Sequence, residues 1–189
     1  MDKGFDVFRV SNFVIDTAKE NNVELTNLKL QKILFFLQGF YLHKYKKRLI
    51  NGEFAKWQYG PIEREVYDCF KSNGSSPIHD EAFDFSLDTL TIIPIPPISA
   101  ADVGRDIFPK LKSELLKLLE IPTWRLIELT HNDPSWSNYQ DEIKNYSAAD
   151  YTNQEIESCY INNLEANITF HTKNPYICNN ANTGIFLCF

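Results

Sequence analysis

The chain has 189 residues, a net charge of −6, and 43% hydrophobic and 14% aromatic side chains. Such a composition supports a packed core rather than disorder, and the acidic balance disfavours nucleic acid as the main partner. No stretch approaches the roughly 18–20 apolar residues of a membrane span, and the opening Met-Asp-Lys-Gly-Phe-Asp has no apolar export signal, so the expectation is a cytoplasmic protein with no membrane partner.

The first predicted helix runs from about Asp6 to Asn21, with Val7, Val10, Val14 and Ala18 as its apolar stripe and Asp6 as N-cap. After a polar link, Thr26 caps a second helix from Asn27 to about Tyr45. Leu30, Ile33, Leu34, Leu37 and Tyr41 lie on one face of it, and Leu28, Phe35, Phe36 and Leu42 cover another. A helix apolar on more than one face belongs at the centre of a fold. Its polar minority is Lys29, Gln31, Lys32 and Gln38.

Asn51-Gly52 marks a turn, Phe54–Tyr59 reads as extended, and Gly60-Pro61 is expected to open a third helix with Ile62, Val66 and Phe70 inward. Between Ser75 and Ile98 the alternation of Phe83, Phe85 and Leu87 and parts of Leu90–Ile95 predicts a hairpin or two extended segments, closed by Pro94, Pro96 and Pro97. Ile107, Phe108, Leu111, Leu115, Leu118 and Leu119 describe another amphipathic helix. A short helix then starts at Pro122-Thr123 and ends near Asn132-Asp133-Pro134, and a Thr152/Glu155 capping box precedes a final helix of about Asn153–Leu164. The expected fold is mainly α, with minor strands. It is a compact helical domain, residues 1–164, around a buried central helix, followed by an Asn-rich apolar extension, residues 165–189, in which 165–172 has strand character.

Chemistry-bearing motifs are sparse. None of the seven glycines forms a phosphate-binding loop, and no zinc-protease or nucleophile-elbow pattern occurs. Cys69, Cys159, Cys178 and Cys188 are too scattered for a zinc site and read as reduced, buried, small hydrophobes. No cofactor or metal is implied. His131-Asn132-Asp133 has two readings: a hydrogen-bonded helix terminus, which the missing nucleophile favours, or an acid/base pair. Trp57-Gln58-Tyr59-Gly60-Pro61 likewise reads as core packing or as an aromatic anchor for a partner, and so do Trp124 and Trp136. Residues 1–60 hold ten Lys/Arg against six Asp/Glu, much of the excess lying in Lys44, Lys46, Lys47 and Arg48 after the second helix. Those cations suit a helix C-terminus or an acidic partner.

Taken in order, Leu25-Thr26-Asn27-Leu28-Lys29-Leu30-Gln31-Lys32 with Gln38-Gly39, then Trp57-x-Tyr59-Gly60-Pro61, then Val66-Tyr67, then Leu126–His131 with Pro134 and Trp136, resemble the Panacea antitoxin domain, the family of SocA-like and GepA-like phage-associated proteins. Ser135 separates Pro134 from Trp136, where the family often has Trp directly after Pro. The resemblance implies a non-enzymatic antitoxin of a toxin–antitoxin system that neutralises a cognate toxin by direct binding, with a cellular protease as a further partner if it acts as an adaptor. Leu28, Leu30, Gly60, Pro61, Tyr67, Thr130, His131 and Trp136 fall on the motifs and are expected to be structural. Lys29, Gln31, Lys32, Trp57 and Tyr59 are the candidates for partner contact. Two alternatives stand beside this reading. One is a small hydrolase using His131 and Asp133, and the other a phage-associated nucleic-acid-binding regulator using Lys29, Lys32 and the Lys44–Arg48 cluster.

Overall fold

The structure is a computed structural model that describes residues 3–165. Helix α1 (Val7–Glu20) is capped by Asp6, whose carboxylate accepts from the Phe8 and Arg9 amides, and α2 (Asn27–Tyr45) by Thr26, which accepts from Lys29 N. The order continues β1 (Phe54–Trp57), β2 (Gly60–Glu63), α3 (Arg64–Phe70), β3 (Phe83–Ser86), β4 (Thr91–Pro94), α4 (Ala100–Val103) and α5 (Phe108–Glu120). It ends with α6 (Thr123–His131), α7 (Pro134–Ser137), α8 (Gln140–Lys144) and α9 (Asn153–Tyr160), the last widening into a π-helical turn at Ile161–Glu165. The expected mainly helical fold with minor strands is found. The extension 165–189 and its strand-like start fall almost wholly outside the described residues.

Helix α2 is the axis of the fold. Every residue from Lys29 to Leu42 is buried, and α9, α5, α6, α1 and β2 pack around it. Phe35 meets Phe36, Phe54 and Tyr151 edge-on, with ring centroids 5.6, 5.5 and 4.9 Å apart. At Gly39 the helices come so close that a Cβ would sit 2.6 Å from the Cβ of Tyr160, so only glycine admits α9 there. The polar residues of α2 are also inward, because each meets a backbone group that needs a partner. Lys29 Nζ donates to Leu119 O at 2.7 Å, closing the C-terminal end of α5. Gln38 Oε1 accepts from Leu49 N and Ile50 N, both at 2.9 Å, in a stretch that forms no ladder of its own with α2.

Gly60-Pro61 does not open a helix. It begins β2, which pairs antiparallel with β1 in the register Trp57↔Gly60 to Phe54↔Glu63. Gly60 turns the chain at a φ of +88°, and the helix starts only at Arg64, where the Glu63 carboxylate accepts from Val66 N at 2.8 Å. The expected hairpin is β3–β4, paired from Phe83↔Pro94 to Ser86↔Thr91. Its stem is fastened to α1 by Asn12, whose amide donates to Ala82 O and Ile95 O and accepts from Ala82 N. Cys159 is buried as expected, but Cys69 is exposed, because Val66 and Phe70 take the inward face of α3. No described helix is long and apolar enough to cross a membrane.

Candidate functional site

The residues that carry the sequence motifs converge on the β1–β2 turn. Lys32 reaches out of the centre of α2 and donates from Nζ to Pro61 O at 2.8 Å. Thr130 of α6 lies on the other side of the same turn, and a Cβ at Gly60 would come 2.7 Å from its Oγ1 and 3.1 Å from Lys32 Nζ. Glycine is therefore required both by the positive φ and by this close approach. Lys32 is fully buried, and desolvation lowers its ammonium from 10.5 to about 7. Gln31 fixes the end of the strand, accepting from Glu63 N at 2.8 Å and donating to Asn27 Oδ1 at 3.2 Å.

The outer wall comes from α6 and α7. His131 and Trp136 stack with centroids 3.7 Å apart and planes 8° from parallel. Trp136 Nε1 donates to Trp57 O at 2.8 Å, tying α7 to the tip of the turn. The backbone of Trp57 is thereby held while its indole stays 40% exposed, edge-on to Tyr67 at 5.1 Å. Tyr59, at the same tip, is 62% exposed. The space between this turn, α3 and α8 is a cleft of about 950 Å³. Trp57, Tyr59, Tyr67, Trp136 and Tyr146 supply its aromatic lining, and Lys56, Arg64, Lys71 and Lys144 its cations, each of which holds a carboxylate: Glu155, Asp150, Asp68 and Asp141 in that order. His131 faces it too, held below its usual range by burial and by the nearby Lys32, with Nε2 buried and without a hydrogen-bond partner among the described residues.

The five candidates for partner contact thus divide. Trp57 and Tyr59 stand exposed at the cleft. Lys29 and Lys32 do not offer their charges to a partner, since both ammonium groups are spent on internal carbonyls, and Gln31, though at the cleft floor, is committed to Asn27 and Glu63. Of the motif residues, Gly60, Pro61, Tyr67, Thr130, His131 and Trp136 gather around the turn, Leu28 lies at the cleft floor, and Leu30 belongs to the core. Trp124 is exposed on α6. Arg64, Lys71 and Lys144 had no signal in the sequence, because only the fold brings them to the rim of one cleft.

The hydrolase pair is not assembled. Asp133 is buried as the N-cap of α7, where Oδ1 accepts from Ser135 N at 2.9 Å and Ser135 Oγ at 2.6 Å, while the imidazole of His131 lies flat on Trp136. Among the described residues no group of three His, Cys, Asp or Glu side chains is placed to hold a metal. In the basic cluster, Lys46 pairs with Glu157 and Arg48 with Glu53, and Arg48 also donates to Ile50 O and Gly52 O. Lys46 and Arg48 thus serve the chain's own structure.

The helical scaffold thus locks the base of an aromatic turn and leaves its tip exposed at the cleft. Residues 30–137 match the family described as Antitoxin SocA-like, Panacea domain, and the chain belongs to that family. It is 32% identical over 127 residues to a protein described as Antitoxin SocA from Caulobacter vibrioides (strain NA1000 / CB15N), a match covering 67% of this chain and 65% of that relative. The chain thus spans slightly less than two thirds of the relative's length. No solved structure matches. The matched segment contains Lys32, the whole β1–β2 turn, Thr130, His131 and Trp136, and so the machinery that builds the turn.

Proposed function

We propose that this chain is a non-enzymatic antitoxin that neutralises a protein toxin by direct binding, with the Trp57–Tyr59 tip and the adjoining cleft as the contact surface. The observation that carries the reading is the contrast within the β1–β2 turn. Its backbone is fixed from below by Lys32 and from the side by Trp136, while two large aromatics are left exposed at its tip. Trp and Tyr dominate binding hot spots, and a preformed turn presents them with little ordering entropy left to lose. Family membership supports the antitoxin role, and His131 and Asp133, engaged separately, give no support to hydrolysis.

The test is to express the product of the adjacent gene with and without this chain. Growth arrest that this chain relieves, together with co-purification of the two proteins, is the expected outcome. Trp57→Ala combined with Tyr59→Ala is expected to abolish both while leaving the helical content unchanged. A harmless neighbour that does not co-purify overturns the reading, and full rescue by the double variant overturns the assignment of the surface.

A further inference from the structure

The cleft is ringed by charge that cancels. Lys56 lies 3.1 Å from Glu155, Lys71 2.8 Å from Asp68 and Lys144 3.8 Å from Asp141, and Arg64 holds both oxygens of Asp150 at 2.7 and 2.9 Å. On the neighbouring α6, Arg125 pairs with Glu128 at 2.6 Å. Each of these cations is therefore matched by a carboxylate of the same chain. Burial and Lys32 hold His131 below its usual range, so its imidazole adds no charge at neutral pH. A charged group on a partner finds no uncompensated charge here, and exchanging one exposed pair for another gains little.

What the pairs enclose is aromatic and apolar, and it does not stop at the wall formed by His131. Trp124 precedes His131 by seven residues on α6, two turns back on the same face and about 10 Å away, with half-buried Ile127 between them. Trp124 itself is 67% exposed. Helix α2 packs along α6, and Lys29 ties the first turn of α2 to Leu119 O just ahead of α6. The strip thus begins at the level of Leu28, which is half-buried and lines the cleft. Trp124 and Ile127 continue the lining of the cleft along α6, whereas a single exposed side chain would mark nothing.

We propose, resting on the antitoxin reading above, that the toxin meets this surface through an uncharged apolar ridge, seated in the cleft at one end and laid along the Trp124–Ile127 strip at the other. The centre of such a contact is poor in charge and rich in aromatic side chains, as this surface is, and tryptophan is the residue most apt to anchor it. The ion pairs then form the rim, where they stay paired within the chain and exclude water from the centre. Trp124 becomes a second anchor beside the Trp57–Tyr59 tip.

Calorimetric titration of the full chain with the adjacent-gene product, the protein that tests the antitoxin reading, measures both parts. Raising salt from about 0.05 M to about 0.5 M is expected to change the dissociation constant by less than about threefold, because no charge contact is there to be screened. Trp124→Ser is expected to weaken binding about tenfold or more, and Trp124→Phe to retain most of the affinity. In the unaltered pair, oxidative footprinting is expected to show the Trp124 side chain protected in the complex, a readout that depends on no variant. A larger rise of the dissociation constant with salt overturns the uncharged ridge. Trp124→Ser binding as tightly as the parent, or Trp124 oxidising equally in the free and bound chain, overturns the second anchor. If Trp57→Ala/Tyr59→Ala abolishes binding in that case, the antitoxin reading and its surface stand without it. A parent chain that does not bind the product at all overturns both.

Discussion

Lys32→Met separates the two effects of a buried lysine, its charge and its hydrogen bond. In the unfolded chain Lys32 keeps its proton up to about pH 10.5, and in the folded chain it releases it near 7. Between those values unfolding takes up a proton, so this residue makes stability rise with pH across the window. Below it both states are charged, and the folded state carries the full penalty of the buried ammonium. At about 1.4 kcal/mol per pH unit, the interval corresponds to roughly 5 kcal/mol. Methionine removes the charge but deprives Pro61 O of its donor, which costs about 1–3 kcal/mol at any pH. The variant is therefore expected to be more stable than the parent by about 2–4 kcal/mol well below pH 7 and less stable by up to about 2 kcal/mol near pH 10, where the unfolded chain still keeps most of this proton, the curves crossing between. Urea unfolding of both proteins from about pH 6 to about pH 10 measures this, with His131, which Lys32 helps to hold down, as the one shifted group that responds directly to the lost charge. Parallel curves, or a parent that stays the more stable below pH 7, would refute the reasoning.

Gly60→Ala puts a Cβ 2.7 Å from Thr130 Oγ1 at a φ of +88°, and the strain and overpacking together are expected to remove about 2–4 kcal/mol; an unchanged thermal midpoint would count against the close approach. Gln38→Leu leaves the Leu49 and Ile50 amides without their acceptor and is expected to cost about 2–4 kcal/mol in urea unfolding. Trp136→Phe deletes the bond to Trp57 O, and amide exchange across residues 58–60 is expected to quicken with the helices intact; equal exchange rates would show that α7 does not hold the turn. The Arg9 guanidinium and the Ser99 hydroxyl keep Asp102 near about 2 rather than 3.8. The advantage of the parent over Asp102→Asn is therefore present above about pH 4 and shrinks as pH falls toward 2. The pair is partly exposed, so that advantage stays within about 1 kcal/mol.

Helices α1, α2, α5, α6 and α9 could be read from the chain because their stripes and caps are local. Asp6, Thr26 and the Thr152–Glu155 box act within three residues of themselves. The hairpin was legible for the same reason. Gly60-Pro61 misled because a proline after glycine suits a helix start as well as a strand, and the choice is made by Lys32 and Thr130, 28 and 70 residues away in the chain. The short helices α4, α7 and α8 are too brief for a periodic signal. The polar positions of α2 were the hardest to read. Lys29, Gln31 and Lys32 were expected to contact a partner, but the groups they meet, Leu119 O, Glu63 N and Pro61 O, are invisible until the chain has closed on itself. Of the residues at the cleft, Trp57 and Tyr59 carried a sequence motif, whereas Arg64, Lys71 and Lys144 carried none.

The paired bonds from Gln38 to Leu49 and Ile50 also act as a ruler. The same stretch is gripped from its other side by Phe5, whose amide donates to Leu49 O and whose carbonyl accepts from Asn51 N, at 2.8 and 2.9 Å. The link between α2 and β1 is thus metered at both of its faces, and its length is part of the fold. One residue inserted between Lys46 and Arg48 would shift every later residue by one place against both grips. Either the amide of Gln38 or the backbone of Phe5 would then lose its partners, and β1 would reach the turn out of step with Lys32. Variation in length is better tolerated at the hairpin tip between Ser86 and Thr91, where no buried group counts the residues.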